Sequence, residues 1–157
     1  MGYALQSLLR IREMREDRAS GELTAARLAV VEANDALAAR KKDLAEYEKT
    51  REERRDRVFD TVMGKTVGRE RIDLVREGVA KIDEEGAQKA ENVRRAERTL
   101  HEKEDAAAAA RTVFIAATRN RMKIDEHRSE WVRQEADAQE RRAESELEDF
   151  TRRPKDD

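Results

Sequence analysis

Thr61-Val62-Met63-Gly64-Lys65-Thr66-Val67-Gly68 is the stretch that decides how this chain folds. It sets two glycines close together between long segments that carry almost no helix breaker, and such a pair ends a helix and turns the chain. The only proline, Pro154, lies at the far end of the sequence.

Upstream of the turn the apolar residues recur every seven positions. Leu9, Leu23, Val30, Leu37, Leu44 and Val58 form one column, interrupted by Glu16 and Arg51. A second column holds Leu5, Ala19, Ala26, Ala33 and Tyr47, with Arg12, Arg40 and Arg54 as its breaks. Downstream the pattern resumes. Ile72, Val79, Gly86, Val93, Leu100, Ala107 and Phe114 form one column, and Val75, Ile82, Ala96, Ala110, Ala117, Ile124, Trp131 and Ala138 the other. A seven-residue repeat with charged flanks puts one narrow stripe on each helix, the pattern of a left-handed coiled coil.

Two stripes joined by one short turn fold back on each other, because each then finds its partner in the same chain. The predicted fold is all-α: two long helices in an antiparallel coiled-coil hairpin, a single domain over 1–157. Helix one is expected over about 3–62, the turn over about 63–69, helix two over about 70–152, and a disordered tail over 153–157. With the turn near residue 66, Leu37 should lie near Arg95 and Ala96, Val30 near Leu100 to Lys103, and Leu9 near Ile124. At 1.5 Å per residue the arms span roughly 90 and 120 Å, so the second outruns the first. Residues from about 130 onward, including Trp131, Leu147 and Phe150, are left as an overhang. For Trp131 two roles stay open: closing the seam against Tyr3 or Leu5, or docking a partner. Gly78 and Gly86 should each weaken helix two by roughly 1 kcal/mol relative to alanine.

Composition agrees with a seam rather than a thick core. Charged residues make up 45% of the 157 and aromatics 4%. Basic and acidic residues number 34 and 36 and are interspersed, so no stripe is lopsided enough to neutralise phosphates, and nucleic acid is not an expected partner. There is no cysteine, which removes disulfides and thiolate metal sites. The longest apolar runs are too short to span a bilayer, and the N-terminal stretch does not read as a secretory leader.

The chemistry of active sites is not found either. Gly64-Lys65-Thr66 resembles the tail of a phosphate-binding loop, but Phe59 stands where that motif needs its first glycine. His101 and His127 are about 39 Å apart along one helix and cannot share a metal. Runs such as Arg51-Glu52-Glu53-Arg54-Arg55-Asp56-Arg57 are solvated helix surface, laced by pairs one turn apart. The expectation is a protein that binds proteins, without catalysis, cofactor or metal.

The spacing Leu8-x-x-Ile11-Arg12-x-x-Arg15-x-x-Arg18-Ala19, the Arg- and Glu-rich approach from Tyr47 to Phe59, and the tract from Lys123 and Glu126 through Trp131 to Phe150 resemble a family. It is the YscO-type stalk family of bacterial type III secretion, the injectisome relative of flagellar FliJ. The resemblance implies a two-helix antiparallel stalk similar to the coiled coil of the gamma subunit of rotary ATP synthases. It implies a place in the cytoplasm, at the inner-membrane face when assembled, in a system used for virulence. The implied partners are a hexameric secretion ATPase, an export gate protein and, for some members, chaperones of secreted translocators.

The chain itself is expected to be a monomer that does not insert into the membrane. By region, the ATPase end falls on Leu8, Ile11, Arg12, Arg15 and Arg18, with Lys123, Glu126 and Trp131 opposite. The gate end falls on Met63, Lys65 and Val67. Two other readings stand beside this one: a free coiled-coil scaffold or chaperone-like adaptor with no motor partner, and a helical hairpin of the tRNA-binding kind.

Overall fold

The computed structural model describes residues 2–152; the expected disordered tail at 153–157 lies outside the described residues. Two helices make up the fold: α1, Gln6–Asp60, and α2, Arg69–Arg152. They pack as an antiparallel hairpin with the second helix longer. By internal packing the chain divides into two units. A turn unit comprises 24–109, and a terminal unit comprises 1–23 with 110–157.

In the turn unit the seam is built from Ala33, Leu37, Tyr47, Val75 and Ile82, all buried. Burying each large side chain contributes about 1.5–3 kcal/mol. The charged residues that interrupt the predicted columns take part in the same packing. Arg51 reaches Asp83 at 2.8 Å, Arg54 reaches Glu85 at 2.7 Å, and Lys89 reaches Asp43 at 2.9 Å. Polar positions in a seam select one register over its neighbours, because a slip of one turn leaves their charges unpaired.

Gly78 and Gly86 have a packing role that their helix propensity hides. A Cβ on Gly86 would stand 2.9 Å from Tyr47 Cε1, and one on Gly78 would stand 3.1 Å from Val58 Cγ1. The glycines let these two side chains lie against the α2 backbone, and the Tyr47 hydroxyl donates a hydrogen bond to the Ile82 carbonyl. Val58 therefore meets Gly78. Gly21 has nothing near its missing Cβ. Gly21→Ala should thus stabilise the protein by roughly 1 kcal/mol through helix propensity. Gly86→Ala should destabilise it despite the same gain, because the Tyr47 ring must move. Thermal melts of the two variants should shift in opposite directions; matching shifts would remove the packing role.

The turn occupies 61–68, between α1 and α2. The amides of Val62 and Met63 both donate to the Phe59 carbonyl, which ends α1 at Asp60 rather than at Val62. Gly64 then adopts φ 70°, a left-handed conformation that glycine takes without a Cβ penalty. The Gly68 carbonyl accepts from Arg71 at 3.1 Å and opens α2. Ile72, placed in a seam column by its spacing, is 42% exposed, since α1 has ended before it could be covered.

Acid should loosen this unit. The hydrogen bond from Arg54, against the opposing pull of burial, holds the Glu85 carboxyl below its ordinary 4.5. Arg98, then Arg94, lower Glu91 to about 2. Folded values below the unfolded one mean that this stabilisation is complete above about 4.5 and is lost as the pH falls toward 2. The melting temperature should therefore fall over that window, and less so in high salt, which screens exposed pairs. A melting temperature unchanged down to pH 2 would contradict the assignment.

In the terminal unit Leu9, Ala19 and Leu23 are buried, and Arg121 pairs with Glu16 where the seam turns polar. Helix α1 begins at Gln6 and not at Tyr3 because Tyr3 leaves the helical path to pack on α2. Its hydroxyl lies 2.8 Å from His127 Nδ1, and its ring centroid lies 5.5 Å from that of Trp131. Trp131 thus closes the seam. The uncovered part of α2 starts beyond Ala138: every residue from Gln139 to Thr151 is exposed.

Candidate partner-binding interface

The terminal unit carries a groove of about 440 Å³ between its two helices. One wall is α1, with Arg12, Arg15, Arg18, Ala19 and Glu22; the other is α2, with Val113, Ala116, Ala117 and Asn120. The small residues of α2 keep the floor shallow and apolar, and the three arginines fall on one side because they are spaced three apart on a helix.

Arg15 and Arg18 are exposed to an incoming anion, and Arg12 is half-buried beside them. Arg18 pairs at 3.0 Å with Glu22, one turn away, and that pair is largely exposed and easily exchanged. Arg12 Nε is covered and has no hydrogen-bond partner in the structure. Arg15 and Arg18 also border a second depression formed with Ile11 and Met14, so their stems separate two apolar surfaces. The site thus sets cationic side chains beside apolar surface.

The sequence-predicted residues divide accordingly. Arg12, Arg15, Arg18 and Ile11 come together, whereas Leu8 is half-buried in the packing of α1. Lys123 and Glu126 are exposed on α2 and line neither depression, and Trp131 is held against Tyr3. Sequence reasoning missed Val113, Ala116 and Met14. The signal was present, since Val113 and Met14 are apolar at positions outside both seam columns.

The turn unit has its own exposed patch. Met63 is 68% exposed, Lys65 is exposed and Val67 is half-buried. Phe59 and Leu74, not among the residues expected at this end, are exposed as well, again as apolar residues off the seam. Leu74 lies beside a depression with Arg57 and Arg71 on its rim.

Among the described residues no helix is long and apolar enough to cross a membrane, and no group of three or more His, Cys, Asp or Glu is placed to hold a metal. The depressions are open grooves on the helix surfaces of an all-α hairpin. The comparisons narrow this class. The sequence model described as Type III secretion protein YscO matches residues 5–153, and the chain belongs to that family of secretion-apparatus components. The fold is similar to the crystal structure of type III secretion protein YscO from Vibrio parahaemolyticus. The TM-score is 0.86 at 21% identity, over 93% of this chain and 92% of that one. No curated protein matches in sequence.

Proposed function

We propose that this protein is the central stalk or adaptor of a type III secretion export apparatus, with its terminal unit bound to the hexameric secretion ATPase. The observation that carries the reading is the groove in which Arg12, Arg15 and Arg18 stand over the α2 floor of Val113, Ala116 and Ala117, in a chain of a secretion family. Ile11 extends that surface on α1, and Leu8, Lys123, Glu126 and Trp131 are further contacts of the same unit outside the groove. The turn, with Met63, Lys65 and Val67, is the end that meets the export gate, and Phe59 and Leu74 enlarge it. Translocator chaperones are a further class of partner, and the site of action is the cytoplasmic face of the inner membrane.

A two-helix body inside a six-fold ring cannot contact all subunits alike. It therefore biases their conformations unequally, and such a differential interaction is what coupling between sites requires. Charged contacts at a rim form and break readily, which suits repeated engagement with a ring that changes state. The test is ATP hydrolysis by the purified cognate ring, measured with and without excess of this protein, together with a pull-down at low salt. Raised turnover and a salt-sensitive complex are expected. Unchanged hydrolysis with no complex at low salt would sink the stalk reading and leave a free coiled-coil scaffold.

A further inference from the structure

We propose that the exposed end of α2 in one copy docks into the arginine-walled groove of a second copy, so that the free protein self-associates through its terminal units. The proposal uses the groove described above but does not depend on the ATPase as its partner.

From Gln139 to Thr151 helix α2 continues with no residue covered, and Leu147 and Phe150 are 65% and 78% exposed. At about 100° per residue, Ala143, Leu147 and Phe150 fall on one face of this segment. Glu140 and Glu144 flank that face on one side and Glu146, with Arg142 beyond it, on the other, while Arg141 points away from it. The segment is thus an amphipathic helix with an acidic border. The groove presents the complement, an apolar floor beneath Arg12, Arg15 and Arg18, with Ile11 and Met14 beyond the last two.

Length also fits. The α1 wall from Arg12 to Glu22 runs about 15 Å, and the exposed segment about 20 Å. The segment cannot reach the groove of its own chain. Asn120 and Glu140 belong to one uninterrupted helix and are held about 30 Å apart along it. Only another copy can bring the two surfaces together. Made reciprocally, the contact closes a dimer in which both grooves are filled. A dimer of this kind competes with any other occupant of the groove, and so keeps the arginines covered until a stronger acidic partner arrives.

Sedimentation velocity on the full chain alone tests the proposal, and its failure would leave ATPase binding untouched. A concentration-dependent dimer is expected by about 100 μM at low salt, weakened by added salt, as suits a small charged interface. Truncation after Ala138, and Leu147→Asp with Phe150→Asp in the full chain, should each give a monomer of unchanged helix content. R15E with R18E, and separately E140R with E144R, should each abolish association, whereas an equal mixture of the two should recover it. A wild-type monomer across that range, association that survives the truncation, or a mixture that fails to recover would each overturn the proposal.

Discussion

Leu37→Ala is expected to destabilise the protein by about 2–4 kcal/mol, the usual cost of removing a large side chain and leaving part of its cavity behind. For a chain of this size that lowers the melting temperature by roughly 2–4 °C per kcal/mol. The size of the effect follows from how little else the seam contains. Leu37 is 8% exposed and is one of nine buried hydrophobic residues among those described. No second layer lies behind it to collapse into the gap. Leu147→Ala, at a site 65% exposed, should change stability by no more than about 0.5 kcal/mol. Denaturant titrations of both variants, read by circular dichroism, provide the check. Equal losses for the two would mean that the uncovered end of α2 is packed after all.

Reversing all three groove arginines, R12E with R15E and R18E, should weaken ATPase binding at least about tenfold, or roughly 1.4 kcal/mol. Three charges change sign on one wall of the groove, so attraction to an acidic helix becomes repulsion, and the salt dependence should invert with it. Helix content should hold, since Arg15 and Arg18 are exposed and Arg12 is only half-buried. Met63→Asp and Leu74→Asp, both in the turn unit, should leave ATPase binding and stimulation intact while impairing secretion. Binding by titration calorimetry, hydrolysis by phosphate release and export in cells separate the two ends. Equal ATPase binding by the triple variant and the wild type would show that the groove is not the contact.

The hairpin was legible in the residue spacing because a seven-residue repeat has one physical solution per helix, and the glycine pair at 64 and 68 allows one place to turn. Every large residue of the α1 columns, from Leu9 to Val58, is buried or half-buried as its spacing predicts. Interruptions in those columns were harder to read. Arg51, Arg54 and Glu16 look like breaks in an apolar stripe, and whether a charge breaks or belongs depends on what faces it. That information sits some thirty to a hundred residues away, at Asp83, Glu85 and Arg121.

Local periodicity thus determined the number of helices, their antiparallel pairing and which face of each is buried. It did so because backbone geometry alone maps sequence spacing onto a helix face. Only the tertiary structure decided the register, the roles of Gly78 and Gly86, the capture of Trp131 by Tyr3, and the joining of Arg12, Arg15 and Arg18 to an apolar floor on the other helix. Each of these is a meeting of side chains from two helices. The energy of such a meeting depends on shape and charge across the seam, which neither helix carries by itself.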